Sequence, residues 1–185
     1  MKLRNPYLNE FGKTQPPFQT DSSGGWDRND LIRRYSHAIP SMEAIKAIAA
    51  LERSIVEVGA GNGYWAYLLS QLGVDIVAFD SFPDHSFWIK KWFEVSEGDS
   101  KVSADFPERA LMLVWPCTER QNFMASEALN SYDGDTVIYV GEPSNGLTAG
   151  EQFFDLLDKD FETVEIIWLP RWDIYFDHLA IYEKR

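Results

Sequence analysis

Between Ser54 and Leu69 the chain reads Ser-Ile-Val-Glu-Val-Gly-Ala-Gly-Asn-Gly-Tyr-Trp-Ala-Tyr-Leu-Leu, and this stretch constrains the fold more than any other. The run Ser54 to Val58 predicts a buried strand that enters a glycine loop, Gly59-Ala60-Gly61-Asn62-Gly63. A helix opens at Tyr64. Trp65, Leu68, Leu69 and Leu72 follow at helical spacing, so one face of that helix packs on a sheet. Gly73 is placed to stop it. A strand, a glycine turn and a helix N-terminus together suit a polar ligand. Backbone N–H groups can approach it unobstructed, and the helix end carries partial positive charge.

The glycine spacing separates the ligand classes. A dinucleotide fingerprint, Gly-x-Gly-x-x-Gly, would need glycine where Tyr64 stands, and a phosphate-binding Walker loop would need a lysine that the loop lacks. The segment Glu57-Val58-Gly59-Ala60-Gly61-Asn62-Gly63 resembles the first motif of class I S-adenosylmethionine (SAM) dependent methyltransferases, acidic-x-Gly-x-Gly-x-Gly. The apolar run Val74-Asp-Ile-Val-Ala-Phe then ends in Asp80. An acid at the end of a second strand can accept hydrogen bonds from both ribose hydroxyls of a nucleoside. One helix, a turn and one strand fit between Gly63 and Asp80.

The chain has 185 residues, enough for one domain with a full core. Its net charge of −12, with no Lys/Arg run longer than two, disfavours a long nucleic-acid substrate and favours a small molecule or a protein. A single cysteine, Cys117, allows no intrachain disulfide. The first residues lack the apolar core of a signal peptide, and no run reaches the length of a membrane span. A cytoplasmic protein, monomeric or homodimeric, is expected.

Residues 1–25 read as an irregular N-terminal arm, rich in Pro, Gln, Asn, Ser and Gly, and residues 26–185 as a single domain. Within that domain, 26–52 form a helical cap and 53–185 the core. One helix is expected over about Asp27 to His37. A second is capped by Ser41, with Glu43 in its first turn. Pro83 is placed to start a short helix, with a short third strand near Phe93 to Val95. Ala110 to Trp115 is an uninterrupted apolar run, as expected of a central parallel strand covered on both faces. A helix over Glu119 to Tyr132, with Phe123, Met124, Ala128 and Leu129 inward, a strand at Thr136 to Val140 and a helix at Glu151 to Asp160 follow. Val164, Ile166 and Trp168 alternate along Glu162 to Leu169. That arm and the arm His178 to Glu183 have no helix between them, so they form an antiparallel pair.

The resemblance covers about residues 40–185. It also takes in Ala38-Ile39-Pro40, Leu113-Val114-Trp115-Pro116 and Leu169-Pro170-Arg171-Trp172, which look like a subgroup of methyltransferase-like proteins without an assigned substrate. It implies an α/β fold: a three-layer, doubly wound, Rossmann-like methyltransferase sheet of about seven strands with a reversed terminal strand. It also implies SAM as cofactor. Glu57, Gly59, Ala60, Gly61, Asn62, Gly63, Asp80, Ser81, Asp99 and Trp115 would form its site. Asp99, in a Gly-Asp pair, would meet the adenine, although such pairs are also common turn formers.

Tyr35, His37, Trp115, Pro116, Arg171 and Trp172 are the candidate acceptor-binding residues. Glu142, in the loop after the fifth strand, is the candidate general base; its alternative is a solvated loop glutamate. Cys117 reads as a nucleophile or as a small turn residue, and His178 as half of an acid–base pair with Asp177 or as a structural histidine. Nitrogen methyltransferases often carry Asp/Asn-Pro-Pro-Tyr/Phe after the fourth strand. Here Trp115-Pro116-Cys117 stands in that place, without the polar group that would orient a nitrogen nucleophile. The expected function is SAM-dependent methyl transfer to a small-molecule or protein acceptor. The alternative is a catalytically silent SAM-binding regulatory module. No metal-ligand spacing is visible.

Overall fold

The computed structural model describes residues 3–13, 28–118, 123–144, 146–172 and 175–185. The organising stretch forms strand β1, Ile55–Val58, buried along its whole length, and helix α4, Tyr64–Ser70. Ahead of them lie α1 (Pro6–Lys13), α2 (Arg28–Arg34) and α3 (Met42–Ala50). After them come β2 (Ile76–Asp80), β3 (Ser96–Glu97), a 3-10 helix (Ser100–Asp105), β4 (Ala110–Val114) and α5 (Met124–Ser131). The chain ends with β5 (Thr136–Gly141), α6 (Glu151–Asp160), β6 (Phe161–Trp168) and β7 (His178–Lys184).

The seven strands form one sheet in the order β3-β2-β1-β4-β5-β7-β6. β1 pairs in parallel with β2 and β4, and β4 with β5. β7 runs antiparallel to both neighbours, β5 and β6. The sheet is therefore doubly wound, with its reversed strand where the helix-free connection requires it. Its strand order reverses between β1 and β4, the place where open α/β sheets hold ligands. Trp65, Leu68 and Leu69 of α4 and Ile45 and Ile48 of α3 pack on one face. Ala125 and Leu129 of α5 and Phe153 and Leu157 of α6 pack on the other.

Ser41 caps α3 by accepting from the Ala44 amide at 3.0 Å, as its position predicts. Gly73, at φ +84°, lies just past α4 and donates to Ser70 O.

Several expectations are corrected. The arm is not irregular throughout, because Pro6–Lys13 is helical. Asn5 Oδ1 accepts from the Leu8 amide at 3.1 Å, and Pro6 needs no donor at a first helical position. Tyr7 and Phe11 carry α1 into the core. No helix starts at Pro83. The chain from Ser81 to Val95 is a strap, held to α2 by Ile89 N donating to Arg33 O and Arg33 Nε donating to Phe87 O. The third strand comes a little later than expected, at Ser96–Glu97, where it can pair with Phe79 and Asp80. Phe123 is 52% exposed rather than inward, because it precedes the first turn of α5. The start of that expected helix, residues 119–122, lies outside the described residues, as do Asp27, Asn145, Asp173 and residues 14–25 of the arm.

Candidate functional site

A cavity of about 490 Å³ opens at the C-terminal ends of β1, β2 and β4. Its floor is the glycine loop. Gly59, Gly61 and Gly63 have φ of +74°, +57° and +74°, a region that side chains with a Cβ rarely adopt. Two amides, Gly59 N and Ala60 N, donate to Phe79 O and tie the loop to β2. Gly61 N donates to Asp80 Oδ2 at 2.9 Å, and Phe82 N to Asp80 Oδ1 at 2.8 Å. Asn62 is buried. Its Oδ1 accepts from the Tyr64 amide and its carbonyl from Trp92 N, which fixes the loop to helix and strap together. Space above the loop is tight. A Cβ on Gly61 would come within 2.5 Å of the Trp88 ring.

Electrostatically the cavity is acidic. Among the described residues its lining holds four carboxylates, Glu57, Asp80, Asp99 and Glu127, against one lysine, Lys101. Glu57 is 1% exposed, and its Oε2 has no hydrogen-bond partner. Burial pushes its carboxyl up to about 8; an amide hydrogen bond from Ala66 opposes this, and the neighbouring Asp80 adds to it. At the far end Asp99 Oδ1 caps the 3-10 helix by accepting from Lys101 N, and Ser100 Oγ donates to Glu127 Oε2 at 2.7 Å. Ser81 lies on the same rim.

The opposite wall is aromatic. His37 stacks on Trp115, centroids 4.8 Å apart and planes 11° apart, with Phe87 and Trp88 as further ring neighbours. Burial first, and the charge of Arg28 second, lower His37 to about 4, so its imidazole is neutral at pH 7. Trp115 follows β4 at φ +51°, an uncommon conformation for a non-glycine residue. Its amide donates to Val140 O, and its Nε1 donates to Asp177 Oδ1 at 2.8 Å. Strain of this kind persists where surrounding contacts over-determine it, and it clusters at functional sites. Asp177 is itself buried, and burial raises its carboxyl to about 6.

The cavity thus brings together Glu57, Gly59, Ala60, Gly61 and Asn62 with Asp80, Ser81 and Asp99, and across from them Tyr35, His37, Trp115 and Pro116. Gly63 is not in its lining. That residue turns the chain into α4 beneath the loop.

Glu142 is buried, at 5% exposure, which corrects its reading as a solvated residue, and it does not line this cavity. Its Oε2 accepts from Leu147 N and its Oε1 from Phe176 N, so the carboxylate joins two loops. Arg171 and Trp172 also lie outside the cavity lining. Arg171 covers the Phe176 ring, and Trp172 Nε1 donates to Tyr7 Oη. The terminal hairpin carries these side chains toward α1 and its own connecting loop. His178 is buried against the Tyr139 and Trp168 rings, a structural placement. Cys117 is exposed on the cavity rim. Sequence reasoning missed Trp88 and Met124, whose side chains overhang Gly61 and Gly59. The strap has no periodicity that would reveal which way Trp88 turns.

No protein-family model matches the sequence, and comparison with curated proteins gives no match. Solved structures do match. The chain is similar to magnesium protoporphyrin IX methyltransferase from Synechocystis PCC 6803, solved with bound SAM. Identity is 12%, coverage is 96% of this chain and 91% of that one, and the TM-score is 0.52. Its similarity to the pyocyanin biosynthetic protein PhzM has 16% identity, 78% and 56% coverage and a TM-score of 0.53. For TehB from Haemophilus influenzae the values are 16%, 86% and 68%, and 0.50. At such identities the likeness defines the fold, which is the Rossmann-like fold of class I methyltransferases.

Proposed function

We propose that this chain is a SAM-dependent methyltransferase acting on a small-molecule or protein acceptor. One observation carries the reading. A glycine loop in the left-handed conformation is bonded to Asp80, and it shares a cavity wall with a buried glutamate whose Oε2 has no partner. A cationic amino-acid ligand supplies the donor that this oxygen lacks. Bound SAM would supply an electrophilic methyl group on a sulfonium.

The residues present fit that ligand. Glu57, beside the close-approaching glycine loop, would hold its amino-acid end, Asp80 its ribose hydroxyls, and Asp99 with Ser100 its adenine end. The acidic lining stabilises the positive charge. His37, Trp115 and Trp88 form an apolar wall that keeps water from the acceptor, while Asp177 locks the Trp115 ring. Orientation is then the protein's main contribution to an in-line transfer. Residues 26–185 serve as the catalytic domain, with 26–52 as its cap and α1 as an added brace.

Calorimetry tests the reading. SAM and its demethylated product, S-adenosylhomocysteine, should bind with micromolar affinity, and Gly61→Arg should abolish binding. No binding, or preference for NAD, overturns it. Binding without transfer to any acceptor in a metabolite or lysate screen would favour a silent regulatory module.

A further inference from the structure

Trp88 rests on the glycine loop. A Cβ on Gly61 would stand 2.5 Å from its Cζ2, 3.0 Å from its Cε2 and 3.2 Å from its Cη2, so the six-membered ring of the indole lies directly on this glycine. Two carbons in contact stand about 3.5–4.0 Å apart, which leaves no room for a ligand atom between ring and loop. A ligand that uses this face of Gly61 reaches it only when the ring moves aside. Met124 covers Gly59 in the same way, but it opens α5, and Ala125 and Leu129 seat that helix on the sheet. Trp88 belongs to the strap, which has neither helix nor strand from Ser81 to Val95. Phe82, Phe87 and Ile89 are exposed, so the outer side of the strap borders solvent. Segments with few buried contacts open at low cost.

Both roots of the strap lie in the site itself. Phe82 N donates to Asp80 Oδ1 at 2.8 Å, and Trp92 N donates to Asn62 O at 2.9 Å. Trp92 is a fixed point. Its Nε1 donates to Arg34 O at 2.6 Å, and its ring meets those of Tyr35, Tyr64 and Tyr67. Between the roots, Arg33 brackets Trp88. Its carbonyl accepts from Ile89 N at 2.9 Å, and its Nε donates to Phe87 O at 3.0 Å. The residues on either side of Trp88 are thus tied to one residue of α2, and the indole between them is aimed at Gly61.

We propose that Trp88 is a gate over the donor's place on the glycine loop, and that Arg33 is the positioning residue that aims it. The ring lifts off Gly61 to admit the donor and returns over it, because the roots of the strap stay in place. The proposal deepens the methyltransferase reading and takes the identity of its ligand from that reading.

The test measures the association and dissociation rates of S-adenosylhomocysteine on the full chain by surface plasmon resonance. A rearrangement required for binding slows association, and a gate that closes over a ligand slows its release. Trp88→Ala should therefore raise both rates, each by about tenfold or more, while the affinity changes less than either rate. Trp88→Phe should fall between that variant and the wild type. Arg33→Ala keeps the indole but frees it, and should raise both rates to a lesser extent. Arg33→Lys, whose ammonium can still donate to Phe87 O, should return them toward the wild type. Unchanged rates in the Ala variants, or a change confined to one of the two rates, overturn the proposal; faster dissociation alone would make Trp88 an ordinary contact. Arg33→Ala leaves Trp88 in place, so it decides the outcome if Trp88→Ala misfolds. Absent S-adenosylhomocysteine binding by the wild type would instead be the failure of the donor reading, and would carry the proposal with it.

Discussion

The backbone amide of Gly61 donates to Asp80 Oδ2 at 2.9 Å, so the first glycine loop and the end of the second strand are fixed to each other before any ligand arrives. Asp80 keeps further acceptor capacity, since each carboxylate oxygen carries two lone pairs. Two consequences follow for Asp80→Ala. The loop loses its tether, and the ribose loses its acceptor. S-adenosylhomocysteine affinity should fall by about tenfold or more, as expected for hydrogen bonds to a charged group. Calorimetry on the variant and the wild type checks this, and unchanged affinity would remove Asp80 from the site.

Glu57 sets a pH dependence. Its carboxyl is raised from 4.5 to about 8 in the folded chain, so the folded state binds more protons than the unfolded state between those values. The stabilising contribution is complete below pH 4.5 and is lost as pH rises toward about 8. Glu57→Gln keeps a neutral group at every pH. The ligand-free variant should therefore melt above the wild type at pH 8.5, by about 3 °C or more, and the difference should shrink below pH 5. A bound cation favours the charged carboxylate. SAM binding at pH 7 should accordingly release a proton, seen as a binding enthalpy that varies with the ionisation enthalpy of the buffer. Melting curves of equal separation at both pH values would contradict the raised carboxyl.

Two glycines outside the ligand cavity separate backbone strain from crowding. Gly73 and Gly63 both have positive φ, but a Cβ on Gly73 meets nothing within 4 Å, whereas one on Gly63 meets Phe93 Cβ at 2.7 Å. Gly73→Ala should cost only the left-handed conformation, about 1 kcal/mol. Gly63→Ala adds a clash with an atom next to the backbone of the strap, and should cost at least about 1 kcal/mol more. Chemical denaturation of the two variants measures the difference.

Much of the fold was legible because its central strands are short apolar runs punctuated by glycine and by capping residues. Ile55–Val58, Ala110–Val114 and Thr136–Gly141 are buried on both faces, which leaves no alternation to misread. Ser41 and Gly73 marked helix ends through local chemistry. The cap of α1 was also written in the sequence, as Asn5-Pro6, but it lay in a polar stretch whose composition pointed to irregular chain. The strap from Ser81 to Val95 was not legible. Its aromatic residues follow no period, and its path is set by hydrogen bonds to Arg33 and Arg34, which are distant in sequence. The alternation Val164, Ile166, Trp168 correctly marked a strand. It gave no sign that this strand lies at the sheet edge, where all three side chains are exposed. At the site, spacing found the glycine loop and Asp80. The loops after β5 and β6 could not be read the same way, because only the folded chain shows whether Glu142 faces a cavity or a pair of amides.

Glu142 therefore yields the sharpest contrast between a catalytic and a structural role. Its carboxylate accepts from Leu147 N and from Phe176 N, and its backbone amide donates to Thr148 Oγ1, which meets Tyr139 Oη. Removing the carboxylate in Glu142→Ala leaves two amides without acceptors, at a cost of about 1–3 kcal/mol for each that stays buried. Glu142→Gln keeps one acceptor oxygen and should lose less. Both variants should bind S-adenosylhomocysteine within about twofold of the wild type, a change of under about 0.5 kcal/mol. Thermal denaturation and calorimetry on the same samples decide the matter. Lower melting temperature with unchanged affinity fits a loop clasp. Unchanged melting temperature, with methyl transfer lost in an acceptor assay, would return Glu142 to the reacting centre.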